Sequence, residues 1–560
     1  MKKLLFYLLF VFAATALQAQ CGLPQSSIDL QGNNIRARIL NGGDLFTDFN
    51  NAQFEPANNN PNGASTIFTA AFWMGGIDPA GNLKTAAVDY RSSGNGDYSA
   101  GPLSEDGITD AFTCANWDKI FIVNGSDINQ FLQDLPLDAG QAIIQYRGIM
   151  GWPARGNPYF QQIWGFDLPF NTSPLAPFWD ANGDAIYDPL DGDYPAVELR
   201  GIPLFVPAQI VWCVFNDQKG GSPHTTSNGD AIQAEIQLTA WAFNCPDLPI
   251  LNNTIYTSHK IINRATEPID SFYAGIWIDF DLGCYTDDYV GCRPDHSTIY
   301  AYNADVVDGA QGSNCNGVPT FPNPPVQSVT FLNENLEGTH IMDHFTAFGG
   351  TSPNGIPPVS YYNSLSGSWP DGTPLTSGGS GYGGSTPVDY LFPDDPAEPG
   401  GWSMCTANLP LSDMRVIGSQ KFGTLFPGQV AELVTAWSVH QNPDLPCGIG
   451  NTLPDVDDLI FLHASGYESV CSPITTAPIY PSDSLDLFPN PTAATATLRY
   501  GSIPVEEIRV FDPSGKWLQT IEVSEKEQTE INLKNLPAGL YILRILTDQG
   551  TLTKELAIAR

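Results

Sequence analysis

Basic residues are scarce in this chain of 560 residues. Only 24 lysine and arginine residues accompany 60 aspartate and glutamate residues, so the formal net charge is −36. A chain this acidic repels nucleic acid and anionic membrane surfaces, and it recruits cations. The composition therefore argues against a nucleic-acid partner. It fits a protein that is soluble outside the cell, and it also fits acidic loops that bind calcium; both can hold.

Sequence motifs of several enzyme classes are absent. The chain contains no Gly-x-Ser-x-Gly, no P-loop and no Cys-x-x-Cys. Serine-hydrolase elbows, nucleotide-binding loops, zinc ribbons and thioredoxin-type sites therefore have no support. His340 and His344 stand four apart, but no glutamate follows His340 and the surrounding residues indicate a strand, which disfavours a zinc-binding helix.

Long apolar runs are also missing beyond the N-terminus. A basic start precedes an apolar run over residues 4–17, which is typical of a signal peptide cleaved after Ala19, so that residues 1–19 are removed. The alternative is a lipoprotein signal with an acylated Cys21, although Gln20 stands where such signals place a small residue. No later stretch approaches 18 apolar residues, so we expect no transmembrane segment.

Turn-forming residues are abundant, with 53 glycines and 46 prolines, and aromatic residues make up 11%. Few helical patterns accompany them, so we predict an all-β chain with a multi-domain body of β-sandwich type. We place a β-rich domain with acidic loops at 20–325 and a second β-rich region at 326–471, which includes a mobile Gly/Ser-rich loop. A Pro/Ser/Thr linker at 472–484 leads to a C-terminal module at 485–560.

Apolar runs bounded by turn residues predict the principal strands. The predicted strand segments are 34–39, 67–77, 205–215, 231–243, 254–263, 272–280, 328–348 and 413–439. Apolar residues at helical spacing predict a helix over 127–132.

All 10 cysteines follow the apolar N-terminal run. An even number of cysteines in an exported chain predicts disulfides. Local spacing favours the pairs Cys284 with Cys292 and Cys447 with Cys471, but spacing leaves the overall connectivity open.

The last seventy or so residues alternate short apolar runs with tight turns, which predicts a small antiparallel β-sandwich. This segment resembles the type A sorting domain of the type IX secretion system of Gram-negative bacteria. The residues that carry the resemblance are Phe488-Pro489-Asn490-Pro491-Thr492, Val510-Phe511-Asp512 with Gly515-Lys516, Leu536-Pro537-Ala538-Gly539-Leu540-Tyr541, and Lys554-Glu555-Leu556.

The resemblance implies an Ig-like sandwich that docks on the outer-membrane translocon. Within it, the expected sorting residues are Pro489, Asn490, Pro491, Asp512, Gly515, Gly539, Tyr541 and Lys554. In that family the module is usually removed, and the cargo is secreted or anchored to surface lipopolysaccharide. We therefore expect the chain outside the cell or on its outer surface.

One acidic stretch has the spacing of a calcium loop. Oxygen ligands fall at loop positions 1, 3, 5, 7, 9 and 12, which are Asp180, Asn182, Asp184, the carbonyl of Ile186, Asp188 and Asp191. The loop resembles those of dockerins and EF-hands. It departs from the EF-hand pattern at position 6, where Ala185 replaces glycine, and at position 12, where an aspartate replaces glutamate. The alternative is a loop of Asx turns that needs no ion.

A second acidic group follows the strand predicted at 272–280. Its members Asp279, Asp281, Asp287 and Asp288 are candidates for a second calcium site. The same group is also a candidate for the paired carboxylates of a glycosidase, or for solvated acids in turns. The sequence does not choose among these three.

Phrases such as Phe72-Trp73-Met74-Gly75-Gly76 and Asp191-Gly192-Asp193-Tyr194-Pro195 give the body, over about 30–320, a resemblance to large secreted proteins that share this sorting domain and have no assigned activity. We predict a calcium-stabilised protein with an adhesive or structural role. The alternatives are a secreted hydrolase of polysaccharide or protein, and a glycan-binding protein that uses exposed aromatic side chains.

Overall fold

The computed structural model describes most of the chain after residue 20. The described ranges are 21–48, 51–169, 175–245, 248–309, 315–333, 336–343, 357–441, 443–467, 485–501, 503–511, 517–521, 523, 527–547 and 550–559. The predicted signal peptide, the linker at 472–484, Cys471 and the sorting residues Asp512 and Gly515 lie outside these ranges.

The body is built mainly of strands. In chain order they are β1 (Ser27–Leu30), β2 (Ile35–Leu40), β3 (Asp44–Leu45), β4 (Phe54–Pro56), β5 (Ile67–Ile77), β6 (Leu83–Ala86), β7 (Ser99–Ala100), β8 (Phe121–Asn124), β9 (Phe178–Trp179), β10 (Tyr194–Pro195), β11 (Val197–Leu199), β12 (Ile202–Phe205), β13 (Gln209–Asn216), β14 (Ala234–Ala242), β15 (Thr254–Asn263), β16 (Ile269–Phe280), β17 (Asp288–Arg293), β18 (Thr298–Asn303), β19 (Val326–Phe331), β20 (Gly338–Asp343), β21 (Met414–Leu425) and β22 (Val430–His440).

Short helices connect or cover these strands. They are α1 (Ala111–Trp117), α2 (Gly125–Asp134), α3 (Ala139–Gln145), α4 (Arg147–Met150), α5 (Phe160–Trp164), α6 (Pro249–Asn252), α7 (Pro358–Leu365) and α8 (Thr452–Ala464). None of the helices in the described ranges is both long and apolar enough to cross a membrane.

Two large antiparallel sheets organise the body. The first has the order β1-β2-β3-β5-β16-β21-β20, with β4 beside β2 and β6 beside β5. The second has the order β17-β18-β19-β22-β15-β14-β13-β7, with β8 beside β13. Strands from both sides of residue 325 belong to each sheet, so the expected division between 20–325 and 326–471 does not coincide with a boundary between sheets.

The main core lies between the two sheets. Phe46, beside β3, meets Trp437 of β22 with ring centroids 4.8 Å apart, and Phe72 of β5 stacks on His259 of β15 at 4.9 Å. Each fully buried aromatic or aliphatic side chain contributes roughly 1.5–3 kcal/mol to folding. The strand β5 is apolar almost continuously because its other face is also covered, by the α7 residue Tyr361 against Trp73.

A second core lies on the opposite face of the second sheet. Trp212 and Trp241 of that sheet belong to a cluster with Phe131 of α2 and Phe160 of α5, and with residues of the loop around Tyr187. The helix predicted over 127–132 is confirmed as part of α2. This layer of short helices and loops positions the acidic stretch that begins at Asp180.

The C-terminal module is a separate small sandwich. Its strands are β23 (Asp486–Phe488), β24 (Thr495–Arg499), β25 (Val505–Phe511), β26 (Trp517–Ile521), β27 (Gln528–Asn532), β28 (Gly539–Thr547) and β29 (Gly550–Ile558). They form one sheet of order β23-β24-β27 and another of order β26-β25-β28-β29, with a shared apolar core. The predicted all-β class and the sandwich module are confirmed.

Both predicted local disulfides are wrong. Cys284 is bonded to Cys315, and Cys447 is bonded to Cys405. Cys292 is a buried free thiol in β17 that donates to the carbonyl oxygen of Leu391. It does not pair with Cys284, because strand β17 places the two residues apart. Proximity in sequence was misleading because the sheets bring distant segments together.

The N-terminal cysteine is also bonded. Cys21 pairs with Cys114 across 93 residues. A disulfide uses the sulfur atom that acylation of a lipoprotein would need, so this pairing argues against acylation of Cys21.

Candidate functional site

The first acidic loop is closed by a short hairpin. Trp179 of β9 pairs with Tyr194 of β10, so the intervening residues form one surface loop. Tyr187 attaches the loop to the helical layer by two hydrogen bonds. Its hydroxyl donates to the carbonyl oxygen of Ile149 at 2.8 Å, and its backbone amide donates to the carbonyl oxygen of Arg155 at 2.8 Å.

Side-chain oxygens of this loop accept hydrogen bonds from its own backbone. Asp180 accepts from the amides of Gly183 and Ala185, at 2.7 and 2.8 Å. Asn182 accepts from Asp184, and Asp184 accepts from Ile186, at 3.0 and 2.8 Å. The predicted ligands at loop positions 1, 3 and 5 therefore shape the backbone of the loop.

A buried carboxylate, that of Asp193, stabilises the loop by accepting hydrogen bonds from its backbone. Asp193, which is fully buried, accepts from the amides of Ala181 and Asp188, both at 2.8 Å. Burial raises the pKa of Asp193, and the charges of Asp180 and Asp184 add to the increase. Asp188 in turn accepts from the amide of Leu190, while the side chain of Asp191 is exposed.

The loop backbone has one unusual feature. Ala185, at loop position 6, has a φ of +60°, which is the left-handed conformation for which EF-hand loops use glycine. The loop therefore makes its sharp turn at the expected place despite the substitution. No three acidic side chains of this loop bring ligand atoms within 4.8 Å of one another, whereas two other groups among the described residues do.

The first of those groups surrounds Asp279 on the outer face of the first sheet. The carboxylates of Asp279, Asp281 and Asp413 lie within 4.8 Å of one another. Arg415 stands opposite Asp279 in the β16–β21 pairing and contacts both Asp279, at 3.1 Å, and Asp413. The Tyr90 hydroxyl donates to Asp279 at 2.5 Å.

Burial dominates the protonation of this group. It raises the pKa of Asp279 to about 7, although Arg415 and the Tyr90 hydroxyl oppose the shift. It raises the pKa of Asp281 well above its usual value, with the charges of Asp279 and Asp413 acting in the same direction. A carboxylate that is 2% exposed and engaged by a guanidinium and a phenol has the features of a structural ion pair.

The second group lies in the loop that follows β16 and in the one that follows β18. Ligand atoms of Cys284, Asp287 and Asp308 lie within 4.8 Å of one another, and all three residues are buried. Asp308 accepts from the amides of Cys284, at 2.8 Å, and Phe321. Asp287 accepts from the amide of Gly309 at 2.8 Å.

Asp288 lies beside this second group and is affected by its charges. It is 1% exposed, and its Oδ2 accepts from the amide of Leu282 at 2.9 Å. Burial raises the pKa of Asp288 well above its usual value, with further increases from Asp287, Asp308 and Asp281. Burial likewise raises the pKa of Asp308 to about 7.

The structure therefore divides the four residues that the sequence grouped together. Asp279 and Asp281 belong with Asp413 and Arg415, while Asp287 and Asp288 belong with a residue that the sequence did not indicate, Asp308. The sequence analysis missed Asp308, Asp413, Arg415 and Tyr90, because no local spacing connects them to β16. The strand predicted around His340 is confirmed as β20, and His344 lies outside the described residues.

The described residues that are expected to act in sorting lie in the predicted sandwich. Asn490 accepts from the backbone amide of Ala557 in β29 at 2.8 Å, and Pro489 and Pro491 flank it. Tyr541 of β28 donates to the carbonyl of Pro537 at 2.9 Å. The remaining two described sorting residues, Gly539 and Lys554, lie in β28 and β29.

Comparison with protein families identifies the module. A family model described as the secretion system C-terminal sorting domain matches residues 486–559. This match confirms the sorting domain predicted from the sequence. The chain is therefore cargo of the type IX secretion system, and it is exported to the medium or to the cell surface.

Comparisons with whole proteins give no further information about the fold or activity of the body. No curated protein matches the chain. Among 34 matching chains of solved structures is one named as a polysaccharide lyase, with 7% identity and a TM-score of 0.19. The match covers 58% of this chain and 34% of that chain, so the chain spans about a third of the structure it matches. A TM-score this low supports no argument about fold or activity.

Proposed function

We propose that this exported protein is a structural or adhesive component of the cell exterior, which acts by contact rather than by turnover. The observation that carries the proposal is the architecture of the body, in which two nine-stranded sheets and long-range disulfides support hydrogen-bonded surface loops. Rigid frames with exposed loops suit binding at a surface. Anchoring to surface lipopolysaccharide would fit this role.

Calcium in the first acidic loop is part of the proposal. Five aspartates lie between Asp180 and Asp193, and their mutual repulsion favours a bound divalent cation. The ligands would be Asp180, Asn182, Asp184, the carbonyl of Ile186, Asp188 and Asp191. The left-handed turn at Ala185 and the amide hydrogen bonds to Asp180 support this assignment, because both hold the first half of the loop in a compact turn. The ion would stabilise the loop and take no part in catalysis.

Thermal unfolding of the purified exported protein tests the calcium assignment. Chelator is expected to lower the melting temperature, and Asp184→Ala is expected to reduce the response to calcium because it removes a central ligand. Asp106→Ala, at an exposed aspartate outside the acidic loops, is the matched control and should keep the full response. A full calcium response in Asp184→Ala would contradict the loop assignment.

Attachment in the native host tests the adhesive role. Deletion of the gene is expected to reduce attachment of cells to surfaces or to one another. Deletion of residues 485–560 alone should reproduce this defect and retain the body inside the cell, because the sorting domain directs export. Normal attachment of the deletion strain, or hydrolysis of polysaccharide or protein by the purified chain, would contradict the proposal.

An exposed aromatic pair favours glycan binding as a second candidate function. Trp179 is 44% exposed and stacks on Tyr194, with ring centroids 6.1 Å apart and an interplanar angle of 11°. The two rings flank the first acidic loop, so calcium in that loop would stabilise them. An indole supported in this way presents a flat apolar surface of the kind on which sugar rings stack.

A glycan array distinguishes this second candidate. If Trp179 contacts sugar, Trp179→Ala is expected to abolish binding while leaving the melting temperature close to that of the wild type. Phe112→Ala is the control, because Phe112 is 74% exposed and lies far from the loop in sequence. Equal loss of binding in both variants, or no binding by the wild type, would contradict a glycan site at Trp179.

A further inference from the structure

The C-terminal module contacts the body at the end of α8. We propose that the outer face of β25 and β28 docks on the last turn of α8, with the guanidinium of Arg544 as the cap of that helix. The module is then held on the body rather than joined to it by a free tether. This inference goes beyond the proposed function, because neither an adhesive role nor a calcium loop requires a docked module.

The alternation of side chains in β28 identifies the docking face. Its odd-numbered residues from 541 to 545 belong to the core of the module, so the side chains of Ile542 and Arg544 point away from that core. Ile542 is nevertheless only 2% exposed and Arg544 only 6%. Leu540, two positions earlier on the same face, is 43% exposed. Residues outside the module therefore cover positions 542 and 544 but not position 540.

The end of α8 supplies this cover. Ala464 forms one buried apolar cluster with Ile542 and with Phe511 of β25, and Phe461, one helical turn earlier, packs against it. Phe511 stands opposite Ile542 in the pairing of β25 with β28, so the two side chains lie on the same face of the sheet. Removal of this apolar surface from water favours the docked arrangement over a free tether.

The guanidinium of Arg544 also satisfies the backbone of α8. Its Nη2 donates to the carbonyl oxygen of Ala464 at 2.8 Å. Ala464 is the last residue of α8, where carbonyl oxygens have no amide partner within the helix and where the helix dipole favours a cation. The module thus supplies a cap for a helix of the body.

Two guanidinium groups meet the same aromatic ring, one from the module and one from the body. The Cζ atom of Arg544 lies 4.9 Å from the centroid of the Phe511 ring, and that of Arg200, between β11 and β12, lies 5.9 Å from it. Cations are attracted to the face of an aromatic ring. Burial lowers the pKa of His463 well below its usual value, and the charges of Arg200 and Arg544 act in the same direction. The neutral imidazole adds no positive charge to this contact.

Docking limits which surfaces of the module a partner can reach. Phe511 belongs to one of the motifs that carry the resemblance to sorting domains, and the contact with α8 leaves it only 4% exposed. A partner that binds the docked module would therefore contact its other surfaces, such as the outer face of the sheet formed by β23, β24 and β27.

Thiol labelling of the chain that retains residues 485–560 tests the docking. Ile542→Cys and Leu540→Cys each place a thiol on the same face of β28, the probe is N-ethylmaleimide, and mass spectrometry locates the label. Leu540→Cys should react faster by about tenfold or more, because labelling at position 542 requires the contact to open. Similar rates would overturn the proposal, since a freely tethered module exposes both positions.

Substitution of Arg544 tests the helix cap. In the Ile542→Cys background, Arg544→Met removes the guanidinium but keeps an aliphatic side chain, and it should speed labelling about tenfold. Arg509→Met is the matched control and should leave the rate unchanged. Arg509 stands opposite Arg544 on the same face, but its side chain is 31% exposed and pairs with Glu507 within the module. Equal effects of the two substitutions would overturn the role of Arg544.

Amide hydrogen exchange in β28 separates an undocked module from an unfolded one. Exchange should remain slow in Arg544→Met, because undocking leaves the strand pairs of the module intact. If exchange is fast, Arg200→Met replaces this variant, because it changes the contact from the body and leaves the module unaltered. Arg200→Met should speed labelling of Ile542→Cys about threefold. An unchanged rate in that variant would overturn the proposal.

Discussion

Two groups of buried carboxylates follow β16, and they differ in how their charge is compensated. Asp279 contacts the guanidinium of Arg415 and the hydroxyl of Tyr90. Asp288 lies near Asp287, Asp308 and Asp281, whose charges add to the increase that burial causes in its pKa. The same residue type, nine positions along the chain, thus belongs to an ion pair in one place and to a cluster of like charges in the other. Residues that are distant in sequence decide which of these environments an aspartate has.

The largest expected effect comes from removing the internal cation. Arg415→Met leaves Asp279 and Asp413 buried without compensation, so we expect a loss of about 3–5 kcal/mol in the free energy of unfolding. Urea unfolding at neutral pH measures it, and the loss should be the same in calcium and in chelator. Arg293→Met is the control, because its partner Asp295 is 58% exposed and surface pairs contribute about 1 kcal/mol or less. A loss below about 1 kcal/mol in Arg415→Met would contradict the ion-pair interpretation.

Alanine substitutions at two glycines of the same backbone conformation allow the stability of the two acidic loops to be compared. Gly183 and Gly283 share a φ of +77°, but a Cβ at Gly283 would lie 2.0 Å from Oδ2 of Asp308, whereas a Cβ at Gly183 meets nothing within 4 Å. Gly183→Ala should cost only the left-handed strain, about 1 kcal/mol. Gly283→Ala should cost about 3 kcal/mol, because it also displaces Asp308 from its amide donors.

Urea unfolding in the presence of calcium measures both substitutions. An equal loss in the free energy of unfolding in both variants would mean that Asp308 can change position without loss of stability.

The pH dependence of stability sharpens the same comparison. The pKa of Asp308 is about 7 in the folded chain and near 3.8 when unfolded, so the folded state holds more protons between these values. Stability of the metal-free protein should therefore fall as pH rises from about 4 to 7, by on the order of 2 kcal/mol, and Asp279 and Asp288 add to the same trend.

Unfolding at about pH 5 and about pH 7.5 in chelator measures this slope. Asp308→Asn should reduce this slope, because it removes a buried carboxyl group whose pKa is raised. Stability that rises over this interval in chelator would contradict the burial of these carboxyl groups.

The smallest expected effect is in the first loop. Ala185→Gly removes left-handed strain of about 1 kcal/mol but adds flexibility to the unfolded chain, so the net gain should be below about 1 kcal/mol. The calcium-induced rise in melting temperature should be kept or increased. Ala181→Gly is the control, since Ala181 lacks a positive φ and should only lose stability. A reduced calcium response in Ala185→Gly would contradict the analogy with EF-hand loops.

The sequence predicted the elements that depend on nearby residues. The strands over 67–77 and 254–263 have the predicted bounds, because both segments are rich in β-branched and aromatic residues, which favour strands. The sorting domain was recognised by the resemblance of its motifs to a known family, and this prediction is confirmed. Most of the short helices were missed, because helices of four to eight residues are stabilised by packing on a sheet rather than by their own periodicity.

The composition and spacing of this chain by themselves determined its β class and the candidate loop at 180–191, whose predicted ligands lie within twelve residues. Its exported destination was implied by the resemblance to the sorting domain. Only the tertiary structure decided the disulfides and the partners of the second acidic group. Arg415 reaches Asp279 across 136 residues, and Asp308 reaches Cys284 across 24. The physical reason is that hydrogen bonds and ion pairs depend on distance in space, which the pairing of strands sets and local sequence does not.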